Sequence, residues 1–494
     1  MSTIGPGEIP PLPRRGLDPS PEEMRRWGYR LVDLLVDDLS SLGEQRVARA
    51  HAPNDFSQLD EPMPLSEQPF DECLDFLEAH VMPGLTRVHH PRFHAYLPCS
   101  GTYVGALGNF LASGLNSFVG SWLGGGSMAH LELVVVRWLA EAIGYPTEGS
   151  GLLTSGGSMA NLIGLGAGRE FLGGDPQRII VYLSAQAHAS CAKAAQTLGV
   201  PAQNLRTIDC DDSFRLRTDL LEQAILEDQV DGSTRAIVCA NAGTTNTGAI
   251  DPLHAIADLC ESHGAWLHVD GAYGAFAAAH PELRPLFQGL ERADSVALDP
   301  HKWLYSPMGT GCIVFRRPGD AERAFAATGD YLRDTQKAGV VNFFDRGIEL
   351  SRPARAVGVW LLIRSCGMER LRQEILEDVR LARLAEELLA SVPQFEIVEP
   401  AQLSVVAFRF TGHRSSEKAQ ELMDATLREG EIMVSTTELR GETVVRFVVM
   451  NHRTTEEQVR RSVEVLARTA AEIQAQHATN SLERHSPETL THGS

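Results

Sequence analysis

Lys302 lies near the end of the run Ser295-Val-Ala-Leu-Asp-Pro-His-Lys-Trp303, where a short apolar, strand-like segment delivers a lysine between an imidazole and an indole. A lysine in that setting is a candidate for a Schiff base with an aldehyde. Upstream, Ala265-Trp-Leu-His-Val-Asp-Gly-Ala-Tyr273 has the pattern of a buried strand ending on Asp270, followed by small residues that leave room for a planar ligand. An amine to hold an aldehyde and a carboxylate to keep a pyridine nitrogen protonated are the two groups that pyridoxal phosphate (PLP) chemistry requires. Each residue alone has a blander reading, Asp270 as a helix cap and Lys302 as a solvated surface lysine. The third element, Gly151-Leu-Leu-Thr-Ser-Gly-Gly-Ser-Met-Ala-Asn161, carries an apolar pair into a Gly/Ser turn and then into the helix-compatible stretch Met159 to Arg169. Such a turn offers backbone N–H groups and a helix N-terminus to a phosphate. It is neither a Walker loop nor a G-x-G-x-x-G dinucleotide turn. Weight comes from the order along the chain: phosphate turn, Ala187-His-Ala189, Asp270, Lys302.

Strands must hold these groups in place. Ile179-Ile-Val-Tyr-Leu183, Ala236-Ile-Val-Cys239, Trp266-Leu-His-Val269 and Ser295-Val-Ala-Leu298 are apolar, β-rich and separated by helical stretches. That rhythm predicts an α/β fold with a mostly parallel central sheet and a ligand at the strand ends. Residues 1–95 form a helical N-terminal segment, with Met24, Trp27, Leu31, Leu34 and Leu35 on one helix face and Phe70, Cys73, Leu74 and Phe76 supporting a second helix. The segment is too small and open to bury itself well. Residues 96–375 form the large domain and 376–477 a small α+β domain; a helix from Glu369 to Leu389 leads into its strands at Val405–Phe410 and Val444–Val449 and a final helix. Residues 478–494 are polar and expected to be disordered. No internal repeat is visible.

The 494 residues carry 44 Lys and Arg against 64 Asp and Glu, a net charge of −20. That surface disfavours nucleic acid or an anionic membrane as a partner. Apolar stretches such as Val357 to Ile363 are too short to span a bilayer, and the Pro-rich Gly5 to Pro19 has no signal-like apolar region, so a cytoplasmic location is expected. Cys73, Cys99, Cys191, Cys210, Cys239, Cys260, Cys312 and Cys366 show no C-x-x-C spacing, which argues against zinc and against a disulfide framework.

Several segments together resemble the group II PLP-dependent amino-acid decarboxylases, the family that contains the aromatic-L-amino-acid decarboxylases. They are Pro21-Glu-Glu-Met-Arg-Arg-Trp-Gly28, His90-Pro-Arg-Phe-His-Ala-Tyr96, Ser184-Ala-Gln-Ala-His-Ala-Ser190, Gly243-Thr-Thr245, His268-Val-Asp270, Asp299-Pro-His-Lys-Trp303 and Glu349-Leu-Ser-Arg352. The resemblance is nearly full length. It implies the PLP-dependent transferase fold of type I, with Lys302 in Schiff-base linkage to the cofactor, Asp270 on the pyridine nitrogen and His188 stacked on the ring. Gly157 and Ser158 would hold the phosphate, and Thr245, Ala272, Asp299 and His301 fall on further cofactor-contacting positions. It also implies a homodimer with shared active sites, onto which the N-terminal segment wraps. The implied reaction loses the substrate carboxylate as CO₂ and reprotonates the α-carbon, with Lys302 and His188 as proton carriers.

The substrate side is less fixed. The resemblance places Tyr96, Leu97 and Cys99, with Phe118 nearby, against the substrate side chain, and their apolar character favours an aromatic amino acid over glutamate or aspartate, whose carboxylate needs an arginine. Leu97, Cys99 and Gly120 depart from the animal pattern. Asp330 to Asp345 matches the family's mobile lid, whose tyrosine delivers the proton; here the lid is shorter, and Phe343 and Phe344, both without a hydroxyl, are the candidates for that position. Plant aldehyde synthases of the family carry phenylalanine there, so amine and aldehyde products both stay open, with Tyr331, His188 or a tyrosine from the partner subunit as alternative proton donors. A PLP aminotransferase would lack the Asp-Pro-His-Lys-Trp context, and a non-catalytic scaffold would have lost Lys302, Asp270 or His188.

Overall fold

The apolar runs pair into a seven-stranded sheet in the order β1 (Ser150–Thr154), β7 (Gly311–Phe315), β6 (Ser295–Leu298), β5 (Trp266–Asp270), β4 (Arg235–Asn241), β2 (Ile179–Ser184) and β3 (Leu205–Ile208). Strands β2 to β6 are parallel to their neighbours, and β7 runs antiparallel to both β6 and β1, so six strands share one direction. Helices cross between the parallel strands and cover both faces, which is why β1, β2, β5, β6 and β7 are buried throughout and their sequences are continuously apolar rather than alternating. The computed structural model describes residues 16–97, 100–228, 235–326, 329–335, 339–412 and 414–484.

Two compact units result. One takes in the described part of Met1–Gln45 together with Arg49–Thr86; the other takes in Arg46–Ala48 and the described part of Arg87–Ser494. In the first unit the helix Pro21–Ser40 begins at a capping box, where Ser20 and Glu23 satisfy each other's backbone N–H groups and proline occupies the first turn. Trp27 stacks on Phe70 at 4.6 Å, and Arg30 is paired with Asp71 and Asp75 of the helix Phe70–His80. The expected apolar face exists, yet none of the Pro21–Ser40 helix is buried, and Met24 is 49% exposed.

In the second unit a four-stranded antiparallel sheet follows the large one, in the order β10 (Ser435–Leu439), β11 (Glu442–Val448), β9 (Val405–Phe410) and β8 (Phe395–Glu399). It shares a core with the helices Met368–Ala390, Ser415–Glu429 and Glu456–Arg484. The last helix continues beyond His477, where the sequence suggested that order would end. Its Ala, Glu and Gln content favours helix, and the His477 Nε2 lies 2.8 Å from Glu421, tying that turn to the neighbouring helix. Among the described residues no helix is long and apolar enough to cross a membrane.

Candidate active site

Five parallel strands end at one cavity. The turn after β1 supplies Ser155 to Ser158, the loop after β2 supplies His188, β4 leads to Gly243 and Thr245, β5 ends on Asp270 and leads to Ala272, and β6 leads to Asp299, His301 and Lys302. Ligands in open α/β sheets sit at the carboxyl ends of strands because loops converge there and helix N-termini point in. The cavity measures about 310 Å³. It gathers Gly157, Ser158, His188, Thr245, Asp270, Ala272, Asp299, His301 and Lys302, nine positions named from the sequence, and adds Asn161, Ser190 and Tyr273.

Lys302 Nζ lies 3.1 Å from Asp299 Oδ2, and the His301 Nε2 lies 3.7 Å from the same oxygen. His301 Nδ1 donates to the Thr310 carbonyl at 2.8 Å, which fixes the ring. The lysine loop is anchored from behind: Trp303 Nε1 and the Tyr305 hydroxyl donate to Asp378 Oδ2 at 2.9 and 2.7 Å. The indole of the Asp-Pro-His-Lys-Trp motif is therefore a buried anchor rather than a cavity wall. Burial pushes the Asp378 carboxyl up to about 7 despite these donors.

Asp270 Oδ1 accepts from Ala272 N–H at 3.1 Å, and Oδ2 accepts from the Asn161 amide at 2.9 Å. The His188 Nδ1 meets the Ser190 hydroxyl at 2.7 Å, leaving the ring itself half in the open cavity. The helix Gly157–Phe171 reaches this place on a stripe of small residues. A Cβ on Gly157 would stand 2.8 Å from Ala272 Cβ and 2.9 Å from Asp299 Oδ2, and one on Gly164 would stand 2.6 Å from the His268 ring. Positions 157, 161, 164 and 168 share one helix face, so glycine at three of them lets the backbone approach β5 and places Asn161 against Asp270. Asn161 had no motif of its own in the sequence; its spacing from Gly157 is the one signal that could have found it.

The residues expected to line the substrate pocket do not join this cavity. Tyr96, at φ +56°, is 59% exposed, and Phe118 is also on the surface. Leu97 packs partly buried against the main core, and Cys99 lies outside the described residues. Phe343 and Phe344 are buried in their own subunit: Phe343 is under the Arg352 guanidinium at 4.9 Å, and Phe344 N–H donates to the Gly120 carbonyl at 3.0 Å. In the structure both are core positions and neither lines the cavity. Asp330–Thr335, which contains Tyr331, forms a short helical turn.

The Phe343 region explains the Glu349-Leu-Ser-Arg352 motif. Arg352 and Glu132, 1% and 0% exposed at their side chains, pair at 2.6 Å, and Glu132 also accepts from the Leu153 N–H at 2.8 Å. The pair clamps β1 immediately before the phosphate turn.

The cavity fits pyridoxal phosphate. The helix after β1 has no side-chain cap, so its first N–H groups are left for an anion. The Gly157 position tolerates no Cβ, and Asp299 Oδ1 is a buried acceptor without a partner. A type I PLP fold with a lysine and a carboxylate in one cavity defines a class of enzyme. Residues 53–411 match the pyridoxal-dependent decarboxylase conserved domain, and the chain belongs to that family. It is 38% identical to an aromatic-L-amino-acid decarboxylase of Bacillus atrophaeus over 89% of this chain and 94% of that one. Its structure is similar to that of Oryza sativa TDC solved with PLP and tryptamine, at 28% identity and a TM-score of 0.88, covering 94% of this chain and all of that one. It is also similar to Rhodiola rosea 4-hydroxyphenylacetaldehyde synthase, at 29% identity and a TM-score of 0.86, covering 92% of this chain and 99% of that one. The chain is thus a PLP-dependent decarboxylase.

Proposed function

We propose that this enzyme converts an aromatic L-amino acid to the corresponding amine and CO₂, in the cytoplasm, as a homodimer. The observation that carries the reading is the single cavity in which Lys302, Asp270 and His188 converge. The names of the similar proteins supply the aromatic class.

When bound, the cofactor supplies a conjugated electron sink for the substrate's α-carbon. Lys302 would hold it through Nζ, the N–H groups of Gly157 and Ser158 would hold its phosphate, and Thr245, Ala272, Asp299 and His301 would line its place. Asp270 would accept from the protonated ring nitrogen and so help keep the proton there. The bond from the α-carbon to the carboxylate breaks, CO₂ leaves, and a C–H bond replaces it. Lys302, His188 and Tyr331 are the candidates to supply the proton of that C–H bond.

The homodimer is supported by unburied apolar surface. Leu107, Phe110, Leu111 and Leu115 lie on one face of the helix Tyr103–Leu115 and are all exposed, as are Tyr96 and Phe118. A second copy seated there would bring Tyr96 and Phe118 into use as substrate contacts, and the helical N-terminal segment offers a further unburied face. Cytoplasmic placement is supported by the described cysteines, which are free.

Similarity to an aldehyde synthase keeps a second product in view. The burial of Phe343 and Phe344 favours the amine, because a missing hydroxyl in the core has no bearing on the cavity. One screen decides: tryptophan, tyrosine, phenylalanine, dihydroxyphenylalanine, histidine and glutamate are incubated under air, and amine, CO₂, aldehyde, ammonia and peroxide are measured together. The reading expects amine equal to CO₂ from an aromatic substrate. Aldehyde with peroxide in equal amount assigns the synthase reaction, and turnover of glutamate alone contradicts the substrate class.

A further inference from the structure

Asn161 belongs to two hydrogen-bond systems at once, and the direction of each bond can be deduced. The Ser190 N–H donates to His188 Nδ1 at 3.2 Å, so that nitrogen carries a lone pair. The Ser190 hydroxyl, 2.7 Å from the same nitrogen, must then donate to it as well. Its oxygen is free to accept, and the Asn161 Nδ2 stands 2.9 Å away. The second hydrogen of Nδ2 goes to Asp270 Oδ2, also at 2.9 Å. On the other side Asn161 Oδ1 accepts from His268 Nε2 at 2.9 Å, which leaves His268 Nδ1 to accept from the Ser295 hydroxyl at 2.8 Å. Trp266 Nε1 completes the run by donating to that hydroxyl oxygen at 3.2 Å. Each hydrogen has one place to go.

Only a carboxamide of this size gives two hydrogens and takes one in a single plane. Asn161 is 1% exposed, and a helix with glycine at 164 lets the His268 ring stand behind it. Burial holds His268 down to about 4, so the ring is neutral and keeps its Nε2 hydrogen over the working range. The other groups facing Asp270 are the Cys191 thiol at 3.7 Å and the Ala272 N–H; neither competes for the Asn161 hydrogens.

Resting on the reading that Asp270 and His188 serve the cofactor and substrate, we propose that Asn161 is a positioning residue for both. Its amide holds Asp270 as a charged acceptor and, through Ser190, holds His188 in the tautomer whose hydrogen is on Nε2. A change at Asn161 therefore alters the electron-sink side and the proton-carrier side together, whereas a change at Ser190 alters the second alone.

The test compares the holoenzyme with Asn161→Ala, the isosteric Asn161→Asp and Ser190→Ala. The measurements are cofactor content, thermal midpoint, the pH midpoint of the cofactor's visible absorption band, and kcat and KM against pH. Asn161→Ala should move the band's midpoint by roughly one pH unit, since one bond to the charged carboxylate is lost. It should also lower kcat by about tenfold or more, with the larger change in kcat than in KM. Ser190→Ala should leave the band in place and still displace the kcat profile. Asn161→Asp keeps the shape but sets a second carboxylate beside Asp270, so both readouts should move, and this variant decides the matter if the alanine variant fails to fold. Loaded Asn161 variants whose band midpoint and kcat profile overlay the wild type, with only the thermal midpoint lowered, overturn the inference. A wild type with no cofactor on Lys302 overturns the functional reading and this inference with it.

Discussion

Lys302, Asp270 and His188 come from three different strand ends, and the chemistry needs all three within one small cavity. Lys302→Ala should abolish turnover, because it removes the amine that holds the aldehyde and a proton carrier. Asp270→Ala should lower kcat by several orders of magnitude while the protein stays folded, which circular dichroism and steady-state kinetics on the same preparation would check. Near wild-type kcat in either variant contradicts that residue's role. These residues were legible in the sequence because each sits in a motif whose neighbours are constrained too: small residues after Asp270, the apolar run before Lys302. Asn161 and Ser190 were not, since a hydrogen-bond chain across helix and strand leaves no local pattern. Phe343 and Phe344 are only candidates for the lid position because a shortened loop has no unique alignment; in the structure Phe343 packs under Arg352 and the Phe344 N–H donates to the Gly120 carbonyl.

At the scale of elements, the strands β6 and β9 coincide with the apolar runs read from the sequence, and β2, β4, β5 and β11 differ from theirs by a residue or two at the ends. Parallel strands buried on both faces cannot tolerate polar residues, so the apolar runs mark them directly. What the sequence concealed is how β1 is held. The Glu132–Arg352 pair joins segments distant in sequence, and neither residue looks special alone. Arg352→Ala leaves Glu132 charged and unpaired in the core, at a cost of about 3–5 kcal/mol. Urea unfolding should show that loss, and the double variant Glu132→Met with Arg352→Met should recover most of it. A loss below about 1 kcal/mol for the single variant would mean that water reaches the pair. Gly157→Ala tests the phosphate turn: the added methyl meets Ala272 and Asp299, so cofactor affinity measured by equilibrium dialysis should fall by at least about tenfold, and the overpacking should also lower stability by about 1–3 kcal/mol.

For the whole molecule, acid stability follows from buried titratable groups of opposite effect. Burial lowers His94 and His452 to about 3 and His268 to about 4, so each takes up a proton on unfolding below the ordinary histidine value, and the stability they allow above it is lost as pH falls. Burial raises Asp251 to about 6 and Asp378 to about 7, so the native state already holds those protons at pH 5 to 6, and their stabilising effect is present at low pH and lost as pH rises. Three uptakes against two releases leave about one proton, so stability between pH 6 and 5 should fall by only about 1.4 kcal/mol per unit. Asp378→Asn should roughly double that slope; an unchanged slope in urea titrations at the two pH values contradicts the balance. Assembly belongs to the same scale. If the exposed apolar face of Tyr103–Leu115 is covered by a second copy, dilution to monomer should abolish activity, and an active monomer in sedimentation runs would contradict the shared site.

Every role assigned to the cavity depends on where the cofactor is bound. Borohydride reduction of the holoenzyme, followed by proteolysis and peptide mass mapping, fixes the cofactor to whichever amine holds it. One pyridoxyl group per chain on the peptide containing Lys302 is the expected result. A label on Lys193 or Lys337 instead, or none after reduction of a coloured preparation, contradicts it.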